Sequence, residues 1–248
     1  MQKLEHLERR NEKLDLTEPD GVRKDKVAGV SSFAVSRLAT GAELRVRGPD
    51  GADAVICVNG GQRAHVEGTW SASLEWLVAQ LAPRFPGLRF AEVRYRVKSW
   101  ERLDSCIEDA QAALDELAAR RALLVGFSMG GAVAVAVAGD RAVVGVLGLA
   151  PWFPERLPLD TLRGKRLRVL HGRLDRALPG VPGVSAEHSR RGFDRALAVG
   201  ADGEHTVIPG GVHGLAVRAP WGATIPLPRA RRWSELAEIE IQRFASPV

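Results

Sequence analysis

Residues Ala122-Leu123-Leu124-Val125-Gly126-Phe127-Ser128-Met129-Gly130-Gly131-Ala132-Val133-Ala134-Val135-Ala136-Val137 decide the fold. The first six are apolar without alternation, as in a strand buried on both faces. Residues 129–139 are rich in Ala and Val. Their β-branched members favour a strand. Their place directly after a strand, and the small residues that pack on a sheet, favour a buried helix, which is the expected element. Gly126-Phe127-Ser128-Met129-Gly130 between them fits G-x-S-x-G. A sharp strand-to-helix turn strains the backbone at the serine, so neighbouring side chains must be nearly absent. Gly126 and Gly130 provide that room, and the helix N-terminus favours developing negative charge beside the Ser128 hydroxyl.

The same alternation of strand and helix runs outward from this turn. Residues 42–47 alternate and predict an early edge strand. Ala54-Val55-Ile56-Cys57-Val58 is a buried strand ending in the turn Asn59-Gly60-Gly61. A helix is expected over 73–81, stopped by Pro83, and a strand over 88–97. Residues 101–119 form the clearest amphipathic helix, with Leu103, Ile107, Leu114 and Leu117 along one side. Strands are predicted over 143–149, 167–170 and 204–208, and a helix over 189–199. A last helix over 231–244 carries Trp233, Leu236, Ile239 and Phe244. The class is α/β, a mostly parallel central sheet with helices on both faces.

With 248 residues, 45% hydrophobic and 26% charged, the chain suits one α/β domain, and no apolar run is long enough to span a membrane. The net charge of +5 comes from arginines scattered among acids, so no nucleic-acid partner is expected. The densest basic cluster, Arg163, Lys165, Arg166 and Arg168, reads as a solvated edge. Residues 1–28 are charged and read as an N-terminal extension to the domain at 29–248, with an arm for a homodimer or another partner as the alternative. They contain no signal-peptide pattern, so a cytoplasmic location is expected. Cys57 and Cys106 read as small core residues. No metal motif, P-loop or dinucleotide fingerprint appears, so neither a metal nor a cofactor is expected.

An alcohol is a poor nucleophile unless a histidine, oriented by a carboxylate, takes its proton. Asp175 lies in His171-Gly172-Arg173-Leu174-Asp175, just past a predicted strand, and His213 in Gly210-Gly211-Val212-His213-Gly214, past the last one. His171 ends its strand and reads as structural. His6 and His188 read as surface residues, His205 as part of the last strand, and His65 as a solvated loop residue, with contact to substrate as the alternative.

Taken together, the G-x-S-x-G turn, the HGxxD loop and the GGxHG loop resemble the α/β-hydrolase superfamily over about residues 42–246. The resemblance implies a catalytic set of Ser128 as nucleophile, His213 as general base and Asp175 as its orienting acid. It implies an oxyanion hole from the backbone N–H of Met129 and a donor in the turn after the early strand, for which Gly61 is the candidate. Asn59 stands where many relatives have His. Residues 149–165 leave space for a minimal cap or none, as in the dienelactone-hydrolase-like and small carboxylesterase groups. The dienelactone hydrolases proper use cysteine where this chain has Ser128. Trp70, Trp100, Trp152 and Trp221 follow predicted strands and are candidates for substrate binding, with loop stapling as the competing role.

The expected function is hydrolysis of a small-molecule carboxylic ester through an acyl-enzyme. Activity is expected to rise with pH as His213 loses its proton, with a midpoint of about 6–7. The alternatives are a thioesterase, amidase or acyltransferase using the same triad, or a silent fold that only binds.

Overall fold

Every residue of Ala54–Val58 is buried, because this strand sits inside a nine-stranded sheet with helices packed on both faces. The computed structural model describes residues 33–176 and 183–246 and the backbone of 23–24. In chain order the first elements are β1 (Arg23–Lys24), β2 (Ala34–Arg37), β3 (Glu43–Arg47), β4 (Ala54–Val58), β5 (Val66–Glu67) and α1 (Ala72–Leu81). Then come β6 (Arg89–Arg94), β7 (Val97–Lys98), α2 (Leu103–Leu117), β8 (Ala122–Phe127), α3 (Met129–Val137) and β9 (Val143–Leu149). The chain closes with β10 (Arg166–Gly172), α4 (Ala186–Ala198), β11 (Asp202–Ile208), β12 (Ala216–Arg218), β13 (Thr224–Pro226) and α5 (Ala230–Ala245).

The sheet order is β1-β2-β3-β6-β4-β8-β9-β10-β11. The first three strands pair antiparallel, as does β3 with β6. From β6 to β11 every neighbouring pair is parallel. The carboxyl ends of β4, β8, β9, β10 and β11 therefore share one edge of the sheet, where the loops of α/β proteins gather functional groups.

Side chains alternate between two apolar layers. Ile56, Val58, Leu124 and Val169 face α2, α3 and α4. Val55, Cys57, Val125 and Leu170 face α1 and α5. Helix α3 forms despite its valines because it is buried on nearly every side and its small residues admit the sheet. Ser71 caps α1 by accepting the Leu74 N–H, and Ser185 caps α4 by accepting that of His188. Both cysteines are buried and free.

Several expectations need correction. The strand at Glu43–Arg47 is internal, because β2 and β1 extend the sheet beyond it. The predicted strand at 88–97 divides into β6 and β7, and β7 pairs with β5 in a separate two-stranded ribbon. The strand at 167–170 is the longer Arg166–Gly172, since its pairing with β11 runs from Arg166 opposite Asp202 to Gly172 opposite Ile208; Arg166 and Arg168 are ion-paired rather than solvated. Arg168 is buried and bound to Thr206 and Glu204. Ile239 is exposed, and Ile241 instead joins Trp233, Leu236 and Phe244 on the buried face of α5. His188 is half-buried, with an Nε2 closed off from solvent. Burial and nearby Arg191 hold it below the usual imidazole range. Apart from the Arg23–Lys24 backbone, the extension expected over 1–28 lies outside the described residues, as does His6.

Residues 150–165 carry only the short 3-10 turn Asp160–Leu162 and no inserted domain. An unpredicted feature is the hairpin β12–β13, which leaves the chain just after His213. Ser73 Oγ anchors its root, accepting the N–H groups of Leu215 and Ala216 at 2.9 and 3.2 Å. Arg218 ties it to Glu75 on α1.

Candidate functional site

The turn at Ser128 is built from absent side chains. Ser128 has φ 55° and ψ −119°, a conformation that suits glycine and strains a serine. Its N–H donates to Leu149 O at 2.9 Å, and its own carbonyl accepts from Gly131 and Trp152. A Cβ on Gly126 would lie 2.4 Å from Gly130 O, and one on Gly130 would lie 2.2 Å from Val58 O. The two glycines thus let β8, α3 and β4 approach closely enough to lift Ser128 at the sheet edge.

The turn after β4 lies directly beside it. A Cβ on Gly60 would meet Ser128 Cβ at 3.2 Å, and Gly61 packs against the Met129 side chain. Asn59 is buried and shapes this turn. Its Oδ1 accepts the Gly60 N–H at 2.7 Å, and its Nδ2 donates to Thr69 O at 2.8 Å. Tyr95 Oη donates to its carbonyl at 3.1 Å. Gly60 is therefore committed to Asn59. The Gly61 and Met129 N–H groups make no hydrogen bond among the described residues.

Asp175 and His213 come from loops after β10 and β11, which run side by side with Gly172 opposite Ile208. Leu174 N–H donates to Gly211 O at 2.8 Å and Arg173 N–H to Ile208 O at 3.0 Å, locking the loops together. Gly172 and Gly211 allow this approach, because a Cβ on Gly172 would lie 2.6 Å from the Gly211 carbonyl. Across the junction His213 Nδ1 meets Asp175 Oδ2 at 2.7 Å. The His213 ring lies 5.1 Å from that of Phe127, the residue before Ser128.

Two further groups hold Asp175, and reading the sequence did not find them. His171 Nε2 lies 3.2 Å from the same oxygen, and Val184 N–H donates to Oδ1 at 3.1 Å. The HGxxD spacing brings His171 within reach of Asp175, but nothing local indicates Val184. The Asp175 side chain is fully enclosed, and burial alone would raise its pKa. Hydrogen bonds from His171 and His213 outweigh that effect and hold the carboxyl below its usual range.

The tryptophans are scattered. Trp152 follows β9 and donates its backbone N–H to Ser128 O. The Trp70 ring lies 4.5 Å under the Arg45 guanidinium, which also binds Glu75 and Glu92. Trp100 is half-buried against the α2 layer, while Trp221 lies between β12 and β13 and is 76% exposed. His65 is exposed beside Glu101. A cavity of about 710 Å³ opens beyond β11 at the start of α5, lined by Pro209, Leu227, Arg229, Arg231 and Arg232 among others. Ser128, Asp175 and His213 are not among its lining residues.

Solved structures share this architecture. A serine hydrolase homologue from Coxiella burnetii superposes with a TM-score of 0.59 at 16% identity, over 87% of this chain and 100% of that one. The 2-hydroxy-6-oxo-6-phenylhexa-2,4-dienoate hydrolase of Rhodococcus sp. gives 0.60 at 14% identity, over 86% and 99%. The esterase EaEST from Exiguobacterium antarcticum gives 0.56 at 12% identity, over 86% and 99%. No curated protein matches the sequence at a significant level. Among the described residues, no helix is long and apolar enough to cross a membrane. The sequence model of the Alpha/beta hydrolase family matches residues 55–244, and the chain belongs to that family.

Proposed function

We propose that this hydrolase-family protein is a serine esterase that cleaves small carboxylic esters through an acyl-enzyme. The observation that carries the reading is the 2.7 Å contact between His213 Nδ1 and the buried Asp175. With Nδ1–H donating to the carboxylate, Nε2 is left as the basic nitrogen. His213 takes the Ser128 proton as Oγ attacks the ester carbonyl carbon. The carbonyl oxygen becomes an oxyanion, stabilised by the N–H groups of Met129, at the positive end of α3, and Gly61. Each such donor contributes about 3–4 kcal/mol. The C–O bond to the alcohol then breaks, and His213 returns the proton to the departing oxygen. Water, deprotonated by His213, attacks the acyl carbon, releases the acid and restores Ser128.

The four candidate tryptophans contribute unequally in this reading. Trp152 is the candidate whose backbone lies against the nucleophile turn, its N–H donating to the Ser128 carbonyl. Trp70 is occupied by Arg45.

Hydrolysis of p-nitrophenyl esters from acetate to decanoate by wild type and Ser128→Ala tests the proposal. Wild type turns over, and the variant falls by about 10⁶-fold, to background. Wild type labels with a fluorophosphonate and the variant does not. A folded wild type that neither cleaves an ester nor labels overturns the reading.

A further inference from the structure

The ester mechanism uses one imidazole beside Asp175, yet the carboxylate contacts two. His171 is completely enclosed, and its Nε2 lies 2.8 Å from Val184 O as well as 3.2 Å from Asp175 Oδ2. Both neighbours are acceptors, so Nε2 carries a proton; it donates this to Val184 O, and Asp175 Oδ2 lies close beside the same N–H. The other nitrogen, Nδ1, is buried and has no hydrogen-bond partner among the described residues. A proton there would be a buried, unpaired donor, a costly arrangement. The surroundings therefore select the Nε2–H tautomer.

Val184 closes the arrangement. Its carbonyl accepts from His171, and its N–H donates to Asp175 Oδ1 at 3.1 Å. The carboxylate is gripped at both oxygens before His213 is considered. On the other side of His171, the His205 ring stacks with centroids 6.4 Å apart and planes 11° from parallel, and it contacts Ser189 Oγ at 2.9 Å. The other titratable or charged groups around His171 and His205 are His188, Arg190 and Asp194.

We propose that His171 is a positioning residue for the His213 base. Together with Val184 it fixes the Asp175 carboxylate, and it takes up part of the charge on the oxygen that His213 uses. The proposal rests on the reading of His213 as base. Its consequence is specific. Without the His171 donor, Oδ2 holds more charge and binds the imidazolium form of His213 more strongly, while the carboxylate is less well oriented. Basicity and rate then move in opposite directions.

The first test needs no mutation. Nitrogen-15 NMR of histidine in the full-length wild type at pH 7.5 is expected to show His171 as the Nε2–H tautomer. The Nδ1–H tautomer overturns the proposal. In the second test, His171→Leu removes the donor, while His171→Gln places an amide N–H near the Nε2 position. In His171→Leu the midpoint of the His213 ring titration moves up, and kcat/KM for p-nitrophenyl acetate falls about 10- to 100-fold, the size expected for a hydrogen bond to a charged group. His171→Gln recovers most of both. A folded Leu variant with an unmoved midpoint, or no recovery by Gln, overturns the proposal. If the Leu variant does not fold, the wild-type tautomer and the Gln variant decide it. Wild type inactive on every ester would defeat the esterase reading, whereas the NMR results would still decide the role of His171.

Discussion

Around Ser128 the backbone sets the geometry, through two glycines and hydrogen bonds among Ser128, Gly131, Leu149 and Trp152. Around Asp175 side chains do much of that work, with His171 and His213 on one carboxylate oxygen and the Val184 N–H on the other. The first region is defined by what is missing and contains no titratable group. The second is held by charge and proton position. The first should therefore be intolerant of added volume and insensitive to pH, and the second should respond to acid.

The largest expected effect comes from adding one methyl group to the first region. Gly130→Ala puts a Cβ 2.2 Å from Val58 O and 2.7 Å from Asn59 O, both backbone atoms of a buried strand end that cannot turn aside. A loss of roughly 4 kcal/mol or more is expected, with hydrolysis reduced to background. Gly139→Ala is the control, because its Cβ would meet Thr161 Cγ2 at an ordinary 3.5 Å. That variant should stay within about 1 kcal/mol of wild type in urea unfolding. Equal losses for the two would show that space is not what organises the turn.

Acid should act on the second region. Burial, then the proximity of His171 and Arg190, pushes His205 down from 6.5 to about 4. Between those values the unfolded chain binds a proton that the folded chain does not, so stability falls as pH drops from 6.5 towards 4. The loss from this group is up to about 3 kcal/mol. Asp175 acts below that window. Its carboxyl is held under the ordinary 3.8, so the stability it confers is present above that value and is lost as pH falls through its folded pKa. Urea unfolding at a series of pH values should show a shallower slope between pH 6.5 and 4 in His205→Gln than in wild type. An unchanged slope would remove His205 from the acid response.

The same contrast explains how far the sequence could be read. The turn at Ser128 was visible because its constraint is local, with glycines two residues either side of the serine. Buried strands such as Ala54–Val58 and Val143–Leu149 were visible because parallel strands are uninterrupted apolar runs. Pairing partners were not visible. The strand at Glu43–Arg47 looked like an edge because β1 and β2 are short, lie before it and carry little apolar signal. Neither the tautomer of His171 nor its contact with Val184 O can be inferred from spacing. The hairpin after His213 leaves little trace in the sequence, because its strands have three residues each and one of them ends in proline.

The smallest effect is the most direct probe of the strain at the turn. Ser128 holds φ at 55°, which costs a non-glycine residue of order 1–3 kcal/mol. Ser128→Ala keeps the Cβ and therefore the strain, so its stability should match wild type. Ser128→Gly removes the strain but adds freedom to the unfolded chain, which offsets up to about 1 kcal/mol of the gain. The net expectation is a glycine variant about 1 kcal/mol more stable than the alanine variant, with both lacking hydrolysis. Urea unfolding of the two side by side measures the difference without reference to any substrate. A glycine variant no more stable than alanine would mean that the strain at the turn is no larger than the roughly 1 kcal/mol entropy offset, and that Gly126 and Gly130 account for most of its sharpness.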